Sequence, residues 1–381
     1  KRIDASYGVY EEGTFKEILF EGYLSKSGIN RWPRHPSGKL KLDDNTFKEM
    51  ARAYPKIRPL RQLRGSLSKL RLSALQVGFD GRNRCLLSAF ASVTGRNQPS
   101  TNKFVFGLAR WARGLIRPKP GFAIAYIDWS QQEFGIAAAL SGDLNMQAAY
   151  RSGDPYLEFA KQAGAVPEDA TKATHPNERN QYKQCVLATQ YGMGAESLAA
   201  KLGQPTLRAK QLLDMHRKVY RQFWAWSDSV YNQTVSQNRI QTVYGWQTHV
   251  IADPNPRSLR NFPMQANAAD MLRIACILMV ERGIRICAPV HDAILIEAPE
   301  RDIEAHVAIA KSCMEEASKH VLSGFALTSD EEIIRYPDRF LDEDATEFWG
   351  EVMSILADLK RESINTQVLE RLTPAPSYIF T

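Results

Sequence analysis

Two acidic residues lie at the ends of apolar segments in this chain of 381 residues. Asp128 ends the run FAIAYID at 122–128, and Asp292 separates two apolar runs in the segment IRICAPVHDAILIEA at 284–298. A carboxylate beside a buried apolar segment is costly unless it is paired or binds a cation. Two such carboxylates from separate strands suit a two-metal phosphoryl-transfer site, since Mg²⁺ prefers carboxylate ligands. The alternative is a pair of surface acids at strand ends.

A third segment carries cations at helical spacing. Four side chains recur every four residues, which would place them on one broad face of a helix: Arg179, Lys183, Leu187 and Tyr191. Such a face would span about 18 Å at 1.5 Å per residue, long enough to contact a nucleoside triphosphate from end to end. The two cations would bind phosphates, the apolar side chain the sugar and the ring the base. An ordinary amphipathic helix with a solvated basic edge is the alternative.

Strands and helices must hold these residues in place. The apolar pattern predicts a strand at 122–128, a hairpin at 284–298 with His291-Asp292 at its turn, and a second hairpin around Tyr244-Gly245. Helices are predicted at 60–77, 130–150, 155–164, 178–202, 206–237, 265–282, 302–321 and 344–361. Few strands, many helices and their mixed order indicate the α+β class.

The amino-acid composition excludes several classes of protein. Hydrophobic residues make up 44% and charged residues 24%, which is typical of a globular chain. No apolar run reaches 18 residues, so no membrane partner is expected. The five cysteines form no Cys-x-x-Cys pair, which argues against a zinc or disulfide framework and suits a reducing cytoplasm.

The net charge of +7 is unevenly distributed along the chain. Residues 1–120 contain 24 Lys and Arg against 9 Asp and Glu, whereas residues 121–381 contain 25 against 33. A basic block of this size suggests a polyanionic partner, most simply a nucleic acid backbone. A solvated basic surface is the alternative.

Five segments, in order along the chain, carry a family resemblance. Three resemble motifs A, B and C of the family A (polymerase I-like) DNA polymerases: IDWSQQEFGIAAALSGD at 127–143, RNQYKQCVLATQYG at 179–192 and VHDAILIE at 290–297. The other two resemble the TGR segment before motif A and the R-x3-N-x-P-x-Q-x3-AAD segment between motifs B and C, at 94–96 and 257–273. The resemblance covers about residues 80–300. It implies template-directed addition of dNTPs to a primer 3′ end by two-metal phosphoryl transfer.

The resemblance also implies a right-hand α+β polymerase with an antiparallel palm sheet, fingers and thumb. The expected thumb is 1–80, the palm 81–150 and 240–361, the fingers 151–239, and the C-terminal tail 362–381. Only about 95 residues precede the TGR segment, and no Asp-x-Glu cluster with apolar strand flanks lies before residue 80. We therefore expect no proofreading domain in this chain. The residues after motif C resemble phage-type members.

The motifs imply the catalytic roles. Asp128, Asp292 and the backbone carbonyl of Trp129 would hold two Mg²⁺ ions. Arg179 and Lys183 would bind the triphosphate, and their charge would stabilise the negative charge that develops there.

Further motif positions imply contacts with the nucleotide. Glu133 would leave no room for a 2′-hydroxyl and so select dNTPs, Gln131 and Tyr156 would adjoin the incoming nucleotide, and Tyr191 would stack at the templating position. Leu187 stands where the family usually has Phe or Tyr, which should change discrimination at the 3′ position.

Motif positions on the DNA side would follow the primer–template in the minor groove, where acceptors are common to all base pairs: Arg96, Arg257, Asn261 and Gln265, with His291 near the primer end. Pro263 interrupts 257–265, so these side chains need not lie on one straight helix. Ala293 stands where an acid usually follows the motif C Asp, so one carboxylate near the metals is missing.

Two other functions stay open at the level of sequence. A single-subunit RNA polymerase shares the right-hand layout, but Glu133 argues against it. A DNA-binding module without chemistry is disfavoured because both acids and both cations are present. The expected partners are primer–template DNA and dNTPs. A monomer in the cytoplasm of a bacterial or phage-infected cell is expected.

Overall fold

The computed structural model describes residues 2–11, 13–69, 72, 75–100, 103–190, 192–250 and 255–372. The chain divides into two compact units. The first comprises residues 1–85 and 101–112, and the second comprises residues 86–100 and 113–381. In the described ranges, none of the helices combines the length and the apolar character that crossing a bilayer requires.

The first unit is mainly helical. Its elements are α1 (Arg2–Tyr7), β1 (Tyr10–Glu11), β2 (Thr14–Phe15), α2 (Glu17–Lys26), α3 (Asp44–Ala53) and α4 (Arg58–Lys69). An aromatic cluster forms its core, in which the ring of Phe20 stacks on Phe47 with centroids 5.4 Å apart and meets Trp32 edge-on at 4.8 Å. The helix predicted at 60–77 was too long, since α4 ends at Lys69 and Val77 forms a β-bridge with Asn83.

Among its described residues, the second unit contains eight strands: β3 (Leu87–Ser88), β4 (Gln98–Pro99), β5 (Phe122–Trp129), β6 (Arg239–Gln241), β7 (Gln247–His249), β8 (Arg285–Val290), β9 (Ala293–Pro299) and β10 (Ser329–Arg335). Its helices are α5 (Gln132–Ser141), α6 (Leu144–Arg151), α7 (Pro155–Gln162), α8 (Pro176–Gln190), α9 (Ala195–Leu202), α10 (Thr206–Val219), α11 (Arg221–Gln237), α12 (Pro256–Glu281), α13 (Ile303–Val321) and α14 (Thr346–Leu372). The α+β prediction and both predicted hairpins are confirmed.

A four-stranded antiparallel sheet with the order β10-β5-β9-β8 is the main sheet of this unit. Side chains alternate between the faces of a strand. Ala125 and Ile127 therefore join the large hydrophobic core together with Met314 of α13. Tyr126 and Asp128 lie on the opposite face and are only partly buried. Burial of one face holds the strands together, and the other face is left for polar side chains.

Several helices are shorter or longer than the sequence pattern predicts. The segment 130–150 divides into α5 and α6 because Gly142 adopts a left-handed φ of 67° and Asp143 caps the second helix. Helix α12, in contrast, continues through Pro263. The expectation of an interruption there was wrong, because burial of the neighbouring Phe262 and Met264 offsets the hydrogen bond that proline cannot donate.

Gly135 allows α5 to approach its neighbours closely. A Cβ at this position would lie 2.5 Å from Cδ2 of Leu327 and 2.8 Å from Cε2 of Tyr150. The approach brings the Tyr150 hydroxyl within 3.1 Å of the carbonyl oxygen of Ser130, to which it donates. Gly135 thus permits a contact that supports the chain just after Asp128.

We expect Gly135→Ala to lower the free energy of unfolding by about 1–3 kcal/mol, because the added methyl group overpacks a closed site. Gly350→Ala is the control, since nothing lies within 4 Å of a Cβ there. It should raise the stability of α14 by about 0.5–1 kcal/mol. Urea unfolding followed by tryptophan fluorescence measures both, and equal stability of Gly135→Ala and the parent would contradict the packing argument.

Candidate active site

Asp128 and Asp292 are brought together by the pairing of β5 with β9. Asp128 is opposite Ala293, the first residue of β9, so Asp292 lies immediately before that position in the two-residue turn from β8. The backbone N–H of Trp129 donates to the carbonyl oxygen of Asp292 at 3.3 Å. His291, in the same turn, is exposed and has a left-handed φ of 57°. The two acids that the sequence singled out therefore share one end of the sheet.

The surroundings of Asp128 disfavour its charge. Burial, the negative charge of Asp292 and that of Asp330 together raise the pKa of Asp128 to about 7. Its Oδ1 atom is buried and has no hydrogen-bond partner in the described part of the chain. Across the same residues, no Lys, Arg or His forms an ion pair with Asp128 or Asp292.

These properties fit a divalent cation. An unpartnered carboxylate oxygen beside a second carboxylate is stabilised when a positive ion lies between them. In the described ranges, no three His, Cys, Asp or Glu side chains are already grouped as a metal site. Mg²⁺ does not require such a group, because it is commonly held by one or two carboxylates, with water and substrate phosphates completing its shell.

The turn that follows Asp128 is held by a hydrogen-bond network. The backbone N–H of Ser130 donates to the carbonyl of Thr328 at 3.0 Å, and the Ser130 hydroxyl donates to Oδ2 of Asp330 at 2.6 Å. The Tyr150 hydroxyl accepts from the backbone N–H of Thr328 at 3.0 Å. Gln131 then takes a left-handed φ of 44° and starts α5. A left-handed non-glycine residue is a strained conformation that surrounding contacts must hold.

A cationic face lies on α8. Arg179, Lys183 and Leu187 are all partly exposed and recur at helical spacing, as the sequence predicts. The guanidinium of Arg179 and the ammonium of Lys183 lie 5.6 and 5.8 Å from the ring centroid of Tyr156 on α7. The Arg179 guanidinium also donates to the carboxylate of Asp154, the residue that caps α7. Tyr191 lies outside the described residues.

Arg96 and Glu133 form a second contact between predicted site residues. Their side chains approach to 3.5 Å, and Glu133 occupies the first turn of α5. Two side chains donate hydrogen bonds to backbone carbonyls of the loop that carries Arg96. The guanidinium of Arg273 donates to the carbonyl of Gly95, and the indole N–H of Trp246 donates to the carbonyl of Val93 at 3.1 Å.

The polar positions predicted for the DNA side lie along α12. Arg257, Asn261 and Gln265 recur every four residues of this helix and are exposed or partly exposed. A Cβ at Gly192 would lie 2.8 Å from Cγ of Arg257, so the chain after α8 passes close to the start of α12. A single helix through Pro263 therefore presents these three side chains as one row.

Three residues of this region were missed by sequence reasoning. Asp330 belongs to the acidic strand segment Asp330-Glu331-Glu332, which lacks the apolar flanks that drew attention to the other acids. Asp154 lies in the segment Gly-Asp-Pro, where nothing in the local sequence indicates its ion pair with Arg179. Arg273 acts through a contact 178 residues away in the chain, which no local pattern reveals.

Comparison with known proteins gives consistent similarities. The family model described as DNA polymerase family A matches residues 17–327. DNA polymerase I of Thermus caldophilus is 26% identical over 306 residues, which cover 74% of this chain and 36% of the relative. DNA polymerase I of Aquifex aeolicus is 26% identical over 345 residues, which cover 84% of this chain and 58% of the relative. The chain thus spans about a third of the length of the Thermus relative.

A solved structure is similar in fold. It is the POL domain of Pol1 from M. smegmatis in complex with DNA primer–template and dNTP, with a TM-score of 0.68 and 21% identity. The similarity covers 88% of this chain and 62% of that one. The fold therefore agrees with the family match, which extends over most of the sequence. On these grounds the chain belongs to DNA polymerase family A.

Proposed function

We propose that this chain extends a primer on a DNA template by attack of the primer 3′ oxygen on the α-phosphate of a dNTP, with release of pyrophosphate. The observation that carries the proposal is the pair Asp128 and Asp292, with an unpartnered buried oxygen, in a chain that also has the cationic face of α8. Family membership supports the same reaction. No proofreading hydrolysis is proposed for these 381 residues.

The acids would act as ligands. Asp128, Asp292 and the carbonyl of Trp129 would hold two Mg²⁺ ions. When bound, such ions activate the attacking oxygen and stabilise the negative charge on the leaving oxygen. The carboxylates also orient the end of the primer relative to the nucleotide, because the sheet fixes their backbone positions.

Arg179 and Lys183 would bind the triphosphate and stabilise the negative charge that develops on it. Leu187 and Tyr191 would contact the sugar and the base, and Tyr156 and Gln131 would adjoin the nucleotide. Glu133 would exclude a 2′-hydroxyl. Along the DNA, the proposed contacts in the minor groove are those of Arg96, Arg257, Asn261, Gln265 and His291.

The proposal assigns parts of the chain to parts of a polymerase. We assign residues 1–80 to the thumb, 81–150 and 240–361 to the palm, and 151–239 to the fingers, with a tail at 362–381. The similarity to bacterial relatives supports a location of this protein in the cytoplasm of a bacterial or phage-infected cell. A monomer is the expected state.

Asp292→Ala and Asp128→Ala should each reduce extension of a labelled primer with dNTPs and Mg²⁺ by about a thousandfold, which corresponds to about 4 kcal/mol of lost transition-state stabilisation. Binding of primer–template should persist. Asp169→Ala, which removes an exposed acid elsewhere in the chain, is the control. Extension retained by either variant would refute the metal site. Strong, salt-dependent DNA binding by the parent without extension would favour a binding module instead.

Glu133→Ala should raise the efficiency of rNTP relative to dNTP incorporation by about 10- to 100-fold, because a small side chain no longer clashes with a 2′-hydroxyl. Glu196→Ala removes an exposed acid from the first turn of α9 and serves as the matched control. Single-nucleotide extension with both nucleotide types measures the ratio. If the parent protein already used rNTPs as well as dNTPs, the RNA polymerase alternative would replace this proposal.

Asp154→Asn should strengthen dNTP binding about fivefold. The substitution removes the negative charge that competes with a triphosphate for Arg179, a change of about 1 kcal/mol for one partly exposed ion pair. Asparagine can still accept the backbone N–H of Leu157 that caps α7. The concentration dependence of single-turnover extension gives the affinity, with Glu168→Gln as a charge control. Weaker binding in Asp154→Asn would mean that Asp154 positions Arg179 for the nucleotide instead.

A further inference from the structure

A carboxylate outside the family motifs lies beside Asp128. Strand β5 is flanked by β10 and β9, so Asp128 has two directly opposite partners, Asp330 and Ala293. Opposite residues of antiparallel strands point to the same face, with Cβ atoms about 4.5–5.5 Å apart. These are therefore the two positions from which a neighbouring strand can place a side chain directly next to Asp128.

The two positions differ in chemistry. Ala293 is fully buried and carries only a methyl group, and it stands where the resembled motif C has an acid. Asp330 is exposed and carries a carboxylate. The negative charge absent from one flank of Asp128 is therefore present on the other.

We propose that Asp330 supplies the third carboxylate charge of the cation site, in place of the acid that is absent at position 293. The inference rests on the polymerase function proposed above, because it adds a residue to the metal site of that reaction. Mg²⁺ keeps several waters in such sites, so a nearby carboxylate can act through a metal-bound water. In the described ranges no three such side chains converge on one point, so Asp330 is assigned an outer role through water and not a direct bond to the ion.

The pairing of β10 with β5 holds Asp330 beside Asp128, and the contacts of its side chain do not neutralise it. The Ser130 hydroxyl donates to Oδ2 of Asp330 at 2.6 Å, and Ser130 is two residues after Asp128. In the part of the chain that the structure describes, no Lys, Arg or His forms an ion pair with Asp330. Its neighbour Glu331 differs, because it is paired with Lys311 at 2.5 Å on the other face of the strand. Asp330 thus adds a net negative charge to the face that carries Asp128.

Two substitutions separate the charge of Asp330 from its hydrogen bond. Asp330→Asn keeps an oxygen that can accept from Ser130 but removes the charge, whereas Ser130→Ala removes the hydrogen bond and keeps the charge. Glu331→Gln removes one negative charge from the same strand on the opposite face and is the matched control. Circular dichroism and urea unfolding verify that each variant is folded.

Binding of Mn²⁺ to the free protein, followed by the EPR signal of the unbound ion, is a readout independent of activity, since Mn²⁺ accepts the same oxygen ligands as Mg²⁺. Asp330→Asn should weaken Mn²⁺ binding by about tenfold or more, as removal of outer groups around a metal commonly does. Ser130→Ala and Glu331→Gln should stay within about twofold of the parent. In primer extension, Asp330→Asn should need a correspondingly higher Mg²⁺ concentration for half-maximal rate.

The outcomes distinguish this inference from the function on which it rests. If Asp128→Asn weakens Mn²⁺ binding and Asp330→Asn does not, the inference is wrong and the proposed metal site stands. If Ser130→Ala reproduces the loss, Asp330 acts only by holding the turn after Asp128, and the inference is overturned. If Asp128→Asn also binds Mn²⁺ like the parent, the metal site of the proposed function itself is wrong.

Discussion

Mutual repulsion of carboxylates at one end of the main sheet is the constraint around which the second unit is organised. Asp128 is partly withdrawn from water, and the negative charges of Asp292 and Asp330 further disfavour its ionised form. Such an arrangement is unfavourable by itself, so the backbone must enforce it. The pairing of β10 with β5 and of β5 with β9 does so, because each acid lies at or next to a paired position. A bound cation would convert the repulsion into attraction.

The energy that holds these strands comes from the other face of the sheet. Ile127 and Ile294 are fully buried there, in the same core as Met314 of α13. Burial of such side chains contributes about 1.5–3 kcal/mol each, an upper estimate. Because side chains alternate between the two faces of a strand, apolar residues on one face stabilise the sheet while the opposite face carries the acids. Gly135 and Tyr150 support the boundary, where the chain turns from β5 into α5.

Three of the proposed ligand-binding groups are hydrogen-bonded or paired within the protein, unlike Oδ1 of Asp128. Arg179 binds Asp154, Arg96 approaches Glu133, and Asp330 accepts from Ser130. These contacts hold long or charged side chains in defined positions, which lowers the entropy lost when a ligand binds. In the proposed function they would also compete with the ligand, because a polyphosphate that binds Arg179 would have to replace Asp154.

The sequence by itself determined the α+β class, the strand ending at Asp128, the hairpin carrying Asp292 and the helical spacing of Arg179 and Lys183, because these depend on local periodicity and turn chemistry. Only the tertiary structure decided that α12 runs through Pro263 and that Arg273 fastens the loop of Arg96. It alone placed Asp330 opposite Asp128. Strand register joins residues about 200 positions apart, and no local pattern of residues encodes such a pairing.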